Sequence, residues 1–102
     1  KKIKNPAAGR IKKQQGYINY LHGIIYSQKN LTQAEKYFKK ALKFGLTMDY
    51  DVAMTKLSLA GIAMQKRRKR EATQLLQEAK KLDKQNMLSD QIKMMQQQMK
   101  KI

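Results

Sequence analysis

The sequence predicts an all-α fold, a helical-repeat array of five helices, and three observations carry that expectation. The first is an internal copy. Leu21-His22-Gly23-Ile24-Ile25, followed by Ala34, Phe38 and Ala41, returns as Leu59-Ala60-Gly61-Ile62-Ala63, followed by Ala72, Leu76 and Ala79. The offset stays at 38 residues throughout, and self-similarity at such a period sets an architecture of repeated units. The second is a shortage of breakers, with one proline and five glycines in 102 residues. The third is apolar spacing of three and four residues, with no long Val/Ile/Thr alternation to suggest strands.

Taken in order, Lys1 to Lys4 is a basic start, and residues 1–9 are expected to fray. Asn5-Pro6 has the form of a helix cap followed by a first-position proline. Gly9 opposes an early start, so the first firm helix is placed from about Arg10 to Gln28, with Ile18, Leu21 and Ile25 on its apolar side. Lys29-Asn30-Leu31 is a turn. Thr32-Gln33-Ala34-Glu35 then reads as a capping box, in which hydroxyl and carboxylate each satisfy a backbone N–H. The second helix runs to about Phe44 with Ala34, Tyr37, Phe38, Ala41 and Leu42 on one face and Lys36, Lys39, Lys40 and Lys43 on the other. Gly45 stands where a helix-ending glycine belongs.

Asp49 and Asp51 suit the positive end of a third helix. It reaches about Lys66, with Val52, Leu59, Ala60 and Ala63 inward. Lys66-Arg67-Arg68-Lys69-Arg70 is the turn of the second copy. The fourth helix covers about Glu71 to Asp83, turning Ala72, Leu75, Leu76, Ala79 and Leu82 to one side. Asn86 is the expected cap of a fifth helix, whose stripe of Leu88, Ile92, Met95, Met99 and Ile102 should close the apolar face of the fourth, as repeat arrays require at their ends. A coiled-coil seam is the other reading of that stripe, at a length of about two heptads.

The two copies resemble tetratricopeptide repeats. Ile18, Leu21-His22, Ile25, Ala34, Phe38 and Leu46 occupy that family's pattern positions in the first copy. In the second, Lys56, Leu59-Ala60, Ala63, Ala72, Leu76 and Lys84 do so, and Ala41 and Ala79 add the further small residue. His22 and Lys56 depart from the pattern, and both copies lack the final proline. The period exceeds the family's, roughly 34, by about one helical turn around Leu46 to Val52. The resemblance implies a short right-handed solenoid in one domain, residues 1–102. It would hold two antiparallel helix hairpins (about 15–48 and 53–86) and a C-terminal capping helix (about 87–101).

Composition speaks to partners. Lys and Arg number 23 against seven Asp and Glu, a formal charge of +16, which attracts anionic surfaces and acidic proteins alike. Cysteine is absent, so neither disulfides nor thiolate metal sites arise. The acidic residues are scattered, and no nucleophile elbow, HExxH or phosphate-cradling loop occurs, so the chain reads as no enzyme, with no catalytic residue, cofactor or metal site. His22, the only histidine, reads as a packed and hydrogen-bonded core residue. Lys66 to Arg70 is either a solvated turn or a basic patch for nucleic acid.

In the resembling family the first helices of the repeats line a concave groove that holds a peptide. The matching stripe here is Gly16, Asn19, Gly23 and Tyr26, repeated as Met54, Leu57, Gly61 and Met64. Asn19, Gly23, Tyr26, Leu57, Gly61 and Met64 are therefore the expected groove residues. Leu21, Ile25, Leu59 and Ala63 are expected to pack on the partner helices instead. The function expected is a non-catalytic protein–protein interaction scaffold for an apolar segment with acidic flanks. The alternative is electrostatic binding of nucleic acid or anionic lipid. The basic cluster of Lys1, Lys2, Lys4, Arg10, Lys12 and Lys13 resembles the cytoplasmic flank of a membrane helix. The expectation is a cytoplasmic domain, with a membrane anchor preceding Lys1.

Overall fold

The computed structural model describes residues 6–101, with the side chains of residue 12 and of 14–101. Among the described residues the chain is all-helical: α1 Pro6–Tyr26, α2 Leu31–Phe44, α3 Asp49–Gln65, α4 Lys69–Leu82 and α5 Ser89–Lys100. Helix α1 pairs with α2, and α3 pairs with α4, while α5 lies on α4 and α3. The chain divides into two compact units, Lys1–Thr47 and Met48–Ile102. The division falls in the connection between the sequence copies.

In the first unit α1 begins at Pro6, four residues before the expected start at Arg10. A proline at a first helical turn gives up no hydrogen bond and presets φ, so Gly9 is carried inside the helix. Asn5, the expected cap, lies outside the described residues. Asn30, not Thr32, caps α2: its side-chain oxygen accepts from the N–H groups of Thr32 and Gln33 at 3.1 and 3.2 Å. Asn is the better cap by geometry, and it leaves the Glu35 carboxylate free to pair with Lys39 at 3.1 Å. Gly45 ends α2 at φ 98°, donating its N–H to the Ala41 carbonyl, a conformation that favours glycine.

The face of α1 that packs is the reverse of the expected one. Gly16, Asn19 and Gly23 are buried, whereas Leu21 and Ile25 are exposed. A methyl group placed on Gly23 would come within 2.6 Å of the Phe38 ring, and one on Gly16 would strike the Gly45 carbonyl. The helices approach where α1 has no side chain and α2 supplies Ala34, Phe38 and Ala41, all buried. Glycine ranks low in apolarity yet sets the closest approach, so volume decided the face. His22 is also corrected. It is exposed and sits edge-on to the Tyr37 ring at 5.1 Å.

The second unit has its core among Ala53, Leu57, Ala60, Ala63, Ala72, Leu76 and Ala79, closed by Leu88, Ile92 and Met99 of α5. Leu75, Leu82 and Met95 pack against it, so the stripe of α5 covers α4 as its spacing predicts; Ile102 lies outside the described residues. Helix α3 ends in a Schellman motif. Arg68 N–H bonds Ala63 O at 2.7 Å and Arg67 N–H bonds Met64 O at 3.0 Å, with Arg67 at φ 61° in the place glycine usually takes. Asn86 does not cap α5; it takes φ 57° in the preceding turn. The buried Asp83 carboxylate does that work, accepting the N–H groups of Met87 and Leu88 at 2.8 and 2.7 Å.

Candidate docking surface

Helix α1 carries two faces suited to packing, and α2 uses the one built from small residues. The other holds Tyr17, Ile18, Leu21, Ile24 and Ile25, at positions i, i+1, i+4, i+7 and i+8. At about 100° per residue these fall within a stripe of about 120°, the width of a core-facing helix surface. It faces solvent. Soluble surfaces scatter single apolar side chains, whereas several on one face mark an interaction site.

The internal repeat supplies a direct control for that exposure. Tyr17, Leu21, Ile24 and Ile25 are 50%, 40%, 42% and 53% exposed. Their counterparts Thr55, Leu59, Ile62 and Ala63 are 0%, 3%, 4% and 2% exposed. The same register face is dry in α3 and wet in α1. Ile18 is exposed too, and its counterpart Lys56 is partly buried, with its Nζ 2.7 Å from Oε1 of Glu78 on α4. That hydrogen-bonded ion pair explains how α3 holds a lysine where the repeat pattern asks for an apolar residue. It also draws the Glu78 carboxyl below its ordinary range, since the lysine favours the charged form.

The expected groove residues divide between two fates. Asn19 and Gly23 are enclosed against α2, with Asn19 Nδ2 donating to the Gln15 carbonyl at 2.7 Å, so they present no surface to a ligand. Tyr26 is half-buried and stacks on Tyr37, the ring centroids 5.3 Å apart and 9° from parallel, and Lys40 lies over Tyr37 at 5.7 Å. Leu57 is buried in the core of the second unit. Gly61 and Met64 line a cleft of about 310 Å³ with Gln65, Met95 and Gln98. Met95 reaches within 3.5 Å of a methyl group placed on Gly61. In the second copy, α5 thus occupies the side of α3 that the groove reading kept open.

The basic run is partly helical rather than one turn. Lys66 to Arg68 link the helices, and Lys69 and Arg70 open α4. Arg68 pairs loosely with Glu71 at 3.8 Å. Lys69 also borders a cleft of about 420 Å³ with Lys93, Gln96, Gln97, Met99 and Lys100. Sequence reasoning assigned no role to Lys93 or Lys100, because nothing in their spacing places them beside the start of α4. The apolar stripe of α1 was legible as spacing, but the glycine stripe beside it drew the functional assignment.

Among the described residues no group of three His, Cys, Asp or Glu could hold a metal ion, and no helix is long and apolar enough to cross a membrane. No family model matches the chain, and neither does any curated protein or solved structure.

Proposed function

We propose that the chain is a non-catalytic protein–protein interaction scaffold built from tetratricopeptide-like hairpins, and that it docks a protein segment on the bare face of α1. One observation carries the reading: Tyr17, Leu21, Ile24 and Ile25 are exposed where the equivalent α3 positions are buried. A face shaped for burial and left wet is stabilised by whatever covers it. The same reading has the domain in the cytoplasm, in keeping with the basic cluster near its start. The experiment is affinity capture with the unaltered chain and with Leu21→Ser/Ile25→Ser. Both positions are exposed, so circular dichroism should not change while captured proteins are lost. Equal capture by both forms counts against the site.

A second reading rests on the cleft that Lys69, Lys93 and Lys100 share. It is electrostatic binding of a phosphate-rich partner such as nucleic acid. A salt titration separates the two, because phosphate binding weakens linearly in log K against log salt while apolar docking loses much less. Tyr50 is the only aromatic residue after Thr47, so the cleft lacks the stacking platforms of base readers.

A further inference from the structure

Building on the docking reading, we infer that the occupant of the α1 face is a single amphipathic helix of a partner protein, with Asp and Glu flanking its apolar stripe. The chemistry of the face selects a helix. Ile18, Leu21, Ile24 and Ile25 offer no hydrogen-bonding atoms, and Tyr17 offers one hydroxyl. An extended segment laid there would bury backbone N–H and C=O groups with nothing to bond. A helix satisfies its own backbone and brings only side chains to the contact. No strand edge is available among the described residues to accept an added strand. From Tyr17 to Ile25 the stripe is roughly 12 Å long at 1.5 Å per residue. Its three- and four-residue spacing is what the ridges of a second helix require.

Charge selects the flanks. Glu35 is the only acidic residue between Lys1 and Thr47, and it is buried beside α2 with Lys39 on its carboxylate. Lys12, Lys29, Lys36, Lys40 and Lys43 are exposed. A partner with carboxylates beside its apolar stripe gains both steering and contact energy. A second copy of this chain would set one charge of +16 against another, which like-charge repulsion opposes. An anionic bilayer satisfies the charge as well. The repeat argues against it, because the equivalent face of α3 is one the fold buries in protein.

The test uses three synthetic peptides of about 18 residues, long enough to hold a helix. One has Leu at three-four spacing with Glu elsewhere, the second replaces every Glu by Lys, and the third breaks the first with two central prolines. Titrated into the isotope-labelled chain, the acidic helix should shift the amides of Tyr17 to Ile25. Its affinity should fall at least about tenfold in Leu21→Ser/Ile25→Ser, a loss typical of a central contact. It should not change in Met94→Ser, an exposed apolar position on α5. The Lys and proline peptides should bind at least about tenfold more weakly than the acidic helix. Equal binding by the proline peptide overturns the helix while leaving the docking reading in place. Shifts confined to α4 and α5, or binding indifferent to the double variant, overturn both. A dimer seen by sedimentation and dispersed by Ile25→Ser assigns the face to a second copy. Binding to phosphatidylserine vesicles that needs Leu21 and Ile25, without binding of the acidic helix, assigns it to a membrane. Either result overturns the inference.

Discussion

Gly23 and Gly61 stand at the same place in two copies of one sequence pattern, and they do opposite things. Gly23 lies under the Phe38 ring and admits no further atom. Gly61 faces the flexible end of Met95, with room for a methyl group at ordinary contact distance. The neighbours explain the difference. The first copy sets Phe38 where the second has Leu76, so the bulk that α1 gives up is taken by the ring of α2. The second copy adds α5, whose methionine adapts to the space above α3. Equivalent residues in a repeat therefore share a register without sharing an environment.

The largest expected effect comes from making the second copy as bare as the first. Ending the chain after Asn86 removes Leu88, Ile92 and Met99 from the core. Three buried apolar side chains at about 1.5–3 kcal/mol each amount to a loss on the order of 5 kcal/mol. Circular dichroism should show lost helix and light scattering should show aggregation. A truncated chain that stays monomeric and equally helical would sink the capping role of α5.

The matched glycines come next. Gly23→Ala should destabilise by about 1–3 kcal/mol through overpacking on Phe38. Gly61→Ala should do the reverse, gaining up to about 1 kcal/mol from helix propensity at no steric cost. Thermal melts of the two variants should move in opposite directions. Equal shifts of one sign would mean that the two environments do not differ as described.

Asp83 has no counterpart at work in the first copy, where the equivalent residue is Gly45. Asp83→Ala leaves the buried Leu88 N–H without its acceptor, at about 1–3 kcal/mol. Hydrogen exchange should quicken at Met87 and Leu88 and leave α2 unaffected.

The smallest effect belongs to the Lys56–Glu78 pair. Both groups are partly solvated, so Lys56→Met should cost only about 0.2–1 kcal/mol near neutral pH. The sign with pH follows from the lowered Glu78 value. Its contribution is present above the ordinary carboxylate range and disappears as pH falls through the depressed folded value. Stability curves of the unaltered chain and Glu78→Gln should therefore converge in acid. Curves that stay parallel from neutral pH into acid would remove the pair from the account.

The sequence by itself determined the helices, the repeat and the capping stripe of α5, because these depend on local signals. Three-four spacing, an asparagine or glycine at a helix end, and alanines returning at Ala34, Ala41, Ala72 and Ala79 act over a turn or two of chain. The face of α1 that meets α2 was decided only in three dimensions. Apolarity favours Leu21 and Ile25, but two helices come together where their volumes interlock, and the hollow at Gly16 and Gly23 has meaning only once Phe38 and the Gly45 carbonyl lie opposite it. The same reason hid the candidate site. Spacing shows that Tyr17, Ile18, Leu21, Ile24 and Ile25 share a stripe. Whether a stripe is core or surface depends on what covers it, and that is a property of neighbours distant in sequence.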